Sequence, residues 1–151
     1  MTVRVVVADD RAPFRRAAGS VLGATPGFEL VGEATSAEEA VALAGALRPD
    51  LVLLDIGMAG MGGIEAARSI VACYPETTTV LLSTYREQDL PAQAHTCGAA
   101  AYVHKSDFSG PLLRALWHEV EAGRPSTRSR RGRGARLSRA CAPTSRSRDR
   151  A

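Results

Sequence analysis

Lysine is almost missing from this chain of 151 residues: Lys105 is the only one, and the other basic residues are all arginine. Because a compact ammonium and a planar guanidinium are not interchangeable, a lone lysine in an arginine-rich background indicates a site that requires the ammonium. Aromatic residues make up only 5% of the chain, and the three cysteines have no CxxC spacing. This odd number of cysteines argues against a disulfide framework and fits a reducing compartment.

Long apolar runs are also missing, and none approaches the roughly 20 residues that a membrane-spanning helix needs. The chain enters a valine-rich segment at residues 3–7 without the basic region or the cleavage-site pattern of a leader peptide. We therefore expect a cytoplasmic protein that has no membrane partner.

Charge divides the chain into two parts. Residues 1–123 carry nine basic and fifteen acidic side chains, whereas residues 124–151 carry ten arginines and one aspartate. In the second part Leu137 is the only large aliphatic residue, so this segment cannot bury enough apolar surface to offset the entropy of ordering it. We predict a folded domain over residues 1–122 and a disordered Arg/Ser-rich tail over residues 123–151.

Strand and helix patterns alternate along the predicted domain. The apolar runs that predict strands cover residues 3–8, 28–34, 51–54, 78–82 and 100–103. Each run is followed by apolar residues at helical spacing, although the pattern over residues 87–97 is weak. Five such units in succession predict an α/β fold with a doubly wound five-stranded parallel sheet and helices on both faces.

Polar side chains stand just beyond the carboxyl ends of these strands. Asp9 and Asp10 follow the first strand, Asp55 the third, Ser83 the fourth and Lys105 the fifth. Functional sites of open parallel sheets lie at the carboxyl ends of the strands, so these five side chains are expected to converge.

Three carboxylates in one pocket would repel one another unless a divalent cation neutralised them. Mg²⁺ suits such a pocket because it prefers oxygen ligands and is typically held by one or two carboxylates, water and phosphate. We predict that Asp10 and Asp55 bind the ion directly, that Asp9 binds it through water, and that the carbonyl of Gly57 is a further ligand.

The same residues indicate phosphoryl transfer. A carboxylate such as that of Asp55 can accept a phosphoryl group to give an acyl phosphate. This transfer needs mostly positioning and neutralisation of charge, which Lys105 would supply as a point charge and Ser83 as a hydrogen-bond donor.

The motifs that carry these residues resemble those of one family. They are Asp9-Asp10, Asp55-Ile56-Gly57-Met58, Ser83 and Tyr102-Val103-His104-Lys105, in this order and each at a strand end. Residues 1–122 thus resemble the receiver domain of bacterial two-component response regulators. The strings at residues 82–85 and 98–102 are most similar to receivers that precede a LuxR-type helix-turn-helix domain.

The resemblance implies a flavodoxin-like strand order, 2-1-3-4-5, and a histidine kinase that donates phosphate to Asp55. It implies that Ser83 then moves toward the phosphoryl group and that the ring of Tyr102 turns inward, which alters a protein-interaction face. It further implies that the chain catalyses only its own phosphorylation and dephosphorylation, so that it is not an enzyme acting on other substrates. A homodimer is compatible with this subfamily.

The chain departs from the family pattern at four positions near the site. Ala59 stands where proline is usual, and Gly62 replaces a common Asp or Asn. Ser106 stands where many members have proline after the lysine, and Arg11 follows the acidic pair, with which it could form an ion pair. None of these changes removes a group that phosphorylation requires.

Other interpretations stay open. The protein could be a DNA-binding transcriptional regulator whose output domain is truncated or frameshifted, because no helix-turn-helix pattern follows residue 123. The arginines of the tail could instead bind polyanions such as DNA without sequence specificity. A phosphatase that uses an aspartyl phosphate is disfavoured, since Gly57 stands where such enzymes have a second acid. The histidines, His95, His104 and His118, show no metal-ligand spacing and receive no role.

Overall fold

The computed structural model describes residues 2–123, and the predicted tail from residue 124 onward lies outside these residues. The strands are β1 (Val3–Ala8), β2 (Phe28–Ala34), β3 (Leu51–Asp55), β4 (Thr78–Ser83) and β5 (Ala101–His104). The α-helices of the described part are α1 (Ala12–Ala24), α2 (Ala37–Leu47), α3 (Gly62–Cys73) and α4 (Gly110–Ala122). None of these helices is long and apolar enough to cross a membrane.

The five strands form one parallel sheet in the order β2-β1-β3-β4-β5. This order confirms the predicted fold class, a doubly wound sheet of the flavodoxin-like type. Strand β3 lies at the centre and all five of its residues are buried. A strand covered on both faces needs a continuous apolar run, and Leu51-Val52-Leu53-Leu54 is such a run.

Successive residues of a strand point to opposite faces of the sheet. The strands carry apolar side chains on both faces, and helices cover each face. Val52 and Leu54 face α2 and α3, whereas Leu51 and Leu53 face α1 and α4. The two resulting cores are separate clusters of buried side chains. The first is rich in alanine, which lets α2 and α3 approach the sheet closely, and the second contains the larger Leu22, Leu113 and Trp117.

The helix predicted over residues 87–97 is wrong. The structure has two short 3-10 turns there, Glu87–Asp89 and Ala92–His95. Pro91 between them has no N–H group to continue a helix, and few large apolar side chains are available to hold one against the sheet. A third 3-10 turn, Lys105–Asp107, follows β5.

Two serines cap helices, as the sequence leads one to expect for such residues. The Ser36 hydroxyl accepts a hydrogen bond from the Glu39 N–H at the start of α2, and that of Ser109 accepts one from the Leu112 N–H at the start of α4. Among the cysteines of the described part, Cys97 is a buried free thiol.

Candidate functional site

The candidate site lies where the carboxyl ends of the central strands meet. Asp55 is the last residue of β3, and β3 lies between β1, which leads to Asp9 and Asp10, and β4, which ends at Ser83. Ala8 pairs with Leu54, so the residues that follow, Asp9 and Asp55, leave the sheet at the same level.

The carboxylates of Asp9, Asp10 and Asp55 form an acidic cluster, in which one oxygen atom from each lies within 4.8 Å of the other two. Their surroundings differ: Asp9 is fully buried, Asp55 is nearly buried and Asp10 is exposed. Hard oxygen donors this close together suit a divalent cation such as Mg²⁺. The structure thus brings together the three carboxylates that the sequence assigned to a metal site.

Asp9 is held by the protein from several sides. One carboxylate oxygen accepts a hydrogen bond from the Arg11 N–H at 2.8 Å, and the other accepts one from Lys105 Nζ at 2.5 Å. Its backbone carbonyl accepts a third from Arg15 Nη1 at 2.7 Å. The Arg11 contact comes from the main chain, so the structure shows no ion pair between Arg11 and the acidic pair in the described residues.

Lys105 joins the acidic cluster from the carboxyl end of the edge strand β5. Its Nζ atom lies 3.5 Å from Oδ1 of Asp55 as well as 2.5 Å from Oδ2 of Asp9, and its side chain is only 12% exposed. The same nitrogen lies 4.6 Å from the centre of the Phe14 ring, a cation–π distance. Phe14 in turn packs against Phe108.

The pKa of Asp55 is higher than that of an ordinary aspartate. Burial, and after it the negative charge of Asp9, raises the pKa of Asp55 above its usual value of 3.8. The Gly57 N–H, which donates to Oδ1 at 3.2 Å, and Lys105 lower this pKa, but they do not cancel the increase. A cation bound at the cluster would favour the ionised carboxylate, which is the form that can act as a nucleophile.

Ser83 and Tyr102, the two residues predicted to form a switch, meet through Tyr85. The buried Ser83 hydroxyl accepts a hydrogen bond from the Tyr85 N–H at 3.0 Å, while the Tyr102 hydroxyl donates to the Tyr85 carbonyl. The side chain of Tyr85 is 63% exposed, so only its main chain takes part in this connection. The pattern around Ser83 gave no signal for this role of Tyr85.

The loop between Asp55 and α3 is tied to α2 by Glu38. A carboxylate oxygen of Glu38 accepts a hydrogen bond from the Met61 N–H at 2.9 Å, and this bond lowers the pKa of Glu38. The carboxylate lies beside Gly60, which has a φ of 84° that favours glycine. Glu38 thus restrains the loop in which Ala59 replaces the proline expected from the resemblance.

His104 had no predicted role, but its side chain connects the ends of β4 and β5. Its Nε2 atom lies 2.8 Å from the Thr84 carbonyl oxygen, and its Nδ1 atom accepts from the Ser106 N–H at 3.2 Å. The Ser106 hydroxyl lies 2.6 Å from the same Nδ1 atom. Spacing rules for metal ligands could not reveal these contacts, because they depend on the pairing of β4 with β5.

The strand order, the acidic cluster and the lysine facing it define the class of flavodoxin-like α/β proteins with an acidic pocket at the carboxyl edge of the sheet. A family model described as the response regulator receiver domain matches residues 5–116. This chain belongs to that family of two-component signalling proteins.

Individual relatives agree with this assignment. The chain is 36% identical over 122 residues to the DNA-binding transcriptional activator DevR/DosR of Mycobacterium tuberculosis. The aligned segment covers 81% of this chain and 56% of that relative. The chain is also 33% identical over 114 residues to the response regulator GacA of Pseudomonas viridiflava, covering 76% of this chain and 53% of that protein. The chain therefore spans about half the length of the curated relatives that it matches.

A solved structure shows the same fold. The signal receiver domain of the response regulator NarL from Mycobacterium tuberculosis superposes with a TM-score of 0.73 at 32% identity, over 82% of this chain and 98% of that chain. A LuxR-family two-component response regulator from Aurantimonas gives a TM-score of 0.73 at 28% identity, over 85% of this chain and 92% of that chain.

Proposed function

We propose that this receiver accepts a phosphoryl group on Asp55 from a phosphohistidine of a histidine kinase, in a reaction that depends on Mg²⁺. The observation that carries the proposal is the position of Asp55: its carboxylate ends the central strand, lies within 4.8 Å of two other carboxylates and has Lys105 Nζ at 3.5 Å. Family membership supports the same function.

The transfer forms one bond and breaks another. A carboxylate oxygen of Asp55 attacks the phosphorus, the P–N bond to the kinase histidine breaks, and the imidazole leaves as the neutral base after taking up a proton. Lys105 is placed to compensate the negative charge of the phosphoryl oxygens, and the Ser83 hydroxyl to donate a hydrogen bond to one of them. Later hydrolysis of the acyl phosphate by water would return free phosphate and Asp55.

The residues present fit the ion that the proposal requires. Asp10 and Asp55 would bind Mg²⁺ directly, since Asp10 is exposed, whereas Asp9 already accepts hydrogen bonds at both carboxylate oxygens and would act through water. The Gly57 carbonyl would be a further ligand. The ion would neutralise charge on the acceptor and on the phosphoryl oxygens.

The proposed output is a change in the surface beside β5. Ser83 would move toward the phosphoryl group, and the Tyr102 ring would turn inward. The hydrogen bonds of both residues to the Tyr85 main chain support this coupling, because Ser83 bonds to the N–H and Tyr102 to the carbonyl of the same residue, on two successive peptide groups.

The partners are part of the proposal as well. A cognate histidine kinase would be the donor, the reaction would take place in the cytoplasm, and a second copy of the chain could bind the switched surface. One relative is described as a DNA-binding transcriptional activator. DNA binding by this protein is a second proposal, and it depends on segments other than residues 2–123.

The deciding experiment is intact-mass measurement after incubation with acetyl phosphate, with and without Mg²⁺. We expect a gain of one phosphoryl group that requires Mg²⁺ and is absent in Asp55→Asn. Asp89→Asn is the matched control, because Asp89 is exposed on a 3-10 turn and is not one of the clustered carboxylates. If the wild-type chain gains no phosphoryl group under any condition, or if Asp55→Asn gains one at the same rate, the proposal is wrong.

A further inference from the structure

The pairing of β4 with β5 places two side chains of the edge strand against two consecutive peptide groups. Tyr102 and His104 are two residues apart in β5 and so lie on the same face of the sheet. Tyr102 bonds to the Tyr85 carbonyl, and His104 contacts the Thr84 carbonyl at 2.8 Å. The segment that follows Ser83 is thus held by two neighbouring attachments.

His104 differs from Tyr102 because its ring has a second attachment. Its Nδ1 atom caps the 3-10 turn that begins at Lys105, where it accepts from the Ser106 N–H and lies 2.6 Å from the Ser106 hydroxyl. The imidazole therefore connects Thr84, the neighbour of Ser83, to the turn that carries Lys105. We call this connection, from the Thr84 carbonyl through His104 to Ser106, the His104 bridge.

The partners of the ring define one tautomer. A carbonyl oxygen can only accept, so the Nε2 atom facing Thr84 must carry the hydrogen. A backbone N–H can only donate, so the Nδ1 atom facing Ser106 must be the unprotonated acceptor. The bridge therefore requires a neutral imidazole with the proton on Nε2.

Ser106 provides the groups that contact Nδ1 of His104. The resemblance leads one to expect a proline at this position, and a proline has neither the N–H nor the hydroxyl that contact Nδ1 here. The departure from the family pattern thus creates the second end of the bridge.

We propose that His104 is a positioning residue for phosphoryl transfer, which keeps the Ser83 hydroxyl and the Lys105 ammonium at a fixed separation. This inference rests on the proposed function, in which both groups contact the same phosphoryl group. Two groups that must act on one small anion lose effectiveness when either is displaced by about 1 Å, which can cost up to about 100-fold in rate. The ring itself does not touch the reacting atoms.

The two ends of the bridge can be removed separately. In His104→Asn the side-chain oxygen can still accept from the Ser106 N–H, but the side chain is too short to reach the Thr84 carbonyl. In His104→Gln the amide can still donate to Thr84, but the acceptor near Ser106 is lost. His104→Ala removes both ends, and His118→Gln, on the exposed side of α4, is the matched control.

The test measures the rate of phosphorylation by acetyl phosphate in the full chain, together with the midpoint of thermal unfolding. We expect His104→Ala, His104→Asn and His104→Gln all to be slower by about tenfold, with similar midpoints, and His118→Gln to equal the wild type. A normal rate in His104→Asn would show that capping of the turn at Ser106 is sufficient. A normal rate in His104→Gln would show that the contact with Thr84 is sufficient. Either result would overturn the proposal.

A second measurement separates this proposal from the proposed function. Long-range ¹H–¹⁵N spectra of the imidazoles in the wild-type chain should show His104 as the Nε2–H tautomer. The amide signals of residues 83–85 and 105–106 should shift together in His104→Asn. The Nδ1–H tautomer, or shifts confined to one of the two segments, would overturn the bridge even in a chain that accepts phosphate. A wild-type chain that accepts none, but shows the tautomer and the joint shifts, would instead contradict the proposed function alone.

Discussion

Lys105 makes its shorter contact with Asp9 and not with the proposed phosphoryl acceptor. Its Nζ atom lies 2.5 Å from a carboxylate oxygen of Asp9 and 3.5 Å from one of Asp55. The fully buried carboxylate therefore receives most of the compensating charge, and Asp55 remains the less neutralised of the two. Burial, and after it the charge of Asp9, raises the pKa of Asp55, and Lys105 at its longer distance does not cancel this increase.

Lys105→Arg should preserve the charge of the site and impair the switch. The nearly buried ammonium lies between Asp9, Asp55 and the ring of Phe14, where a larger planar guanidinium cannot take the same position. We expect Mg²⁺ affinity to change by less than about tenfold, since the carboxylates are retained. After phosphorylation, however, the amide signals of Ser83 and Tyr102 should not move as in the wild type. Unchanged movement of these signals in the variant would count against a special role of the ammonium.

Asp55→Asn should stabilise the protein at neutral pH in the absence of divalent cations. The pKa of Asp55 is raised in the folded state by burial and by Asp9, so its ionised form disfavours folding. This cost is absent below the usual pKa of 3.8, grows as the pH rises from there to the higher folded-state pKa, and is constant above it. Thermal unfolding in EDTA should therefore give a higher midpoint for the variant at pH 7, and the difference should vanish as the pH falls toward 4. A difference that does not depend on pH would contradict this account.

Gly63→Ala should destabilise the fold, because the start of α3 passes very close to the end of β3. A Cβ atom on Gly63 would lie 2.1 Å from the carbonyl oxygen of Asp55, which is main chain and cannot rotate away. Overpacking of this kind costs about 1–3 kcal/mol. The control is Gly23→Ala in α1, where a Cβ meets nothing within 4 Å and alanine should stabilise the helix by about 0.5–1 kcal/mol. Urea titration of both variants should give opposite signs, and equal signs would refute the prediction.

Glu38→Ala should loosen the loop after Asp55 without unfolding the domain. The variant removes the acceptor of the Met61 N–H, whereas Glu38→Gln keeps an oxygen at the same place. Hydrogen exchange at Met61 should become several-fold faster in Glu38→Ala, with Glu38→Gln in between. Glu119→Gln on the exposed side of α4 is the control. Unchanged exchange at Met61 in Glu38→Ala would show that another contact holds the loop.

Much of the fold follows from local patterns. Valine- and leucine-rich runs predict the strands, and the residues that follow the strand ends include Asp9, Asp55, Ser83 and Lys105. The helix predicted over residues 87–97 is wrong because its few apolar residues formed only a weak helical pattern and Pro91 interrupts the segment. A weak apolar face cannot compensate for a break of this kind.

The parts of the site that the sequence did not reveal depend on contacts between distant elements. Phe14 has an ordinary helical pattern, and only the fold shows that its ring lies beneath Lys105. Glu38 and His104 likewise act on main-chain groups of other elements, Met61 and Thr84. Main-chain partners leave no pattern in residue types, so spacing rules cannot find them.

The main-chain bonds of Tyr85 also bear on how this position can diverge in evolution. Ser83 and Tyr102 contact only the N–H and the carbonyl of residue 85, and its side chain points mostly into solvent. Any residue with an N–H group can supply both atoms, and proline alone cannot. Residue 85 can therefore change as the binding partner changes. Both main-chain hydrogen bonds, to Ser83 and to Tyr102, would be kept.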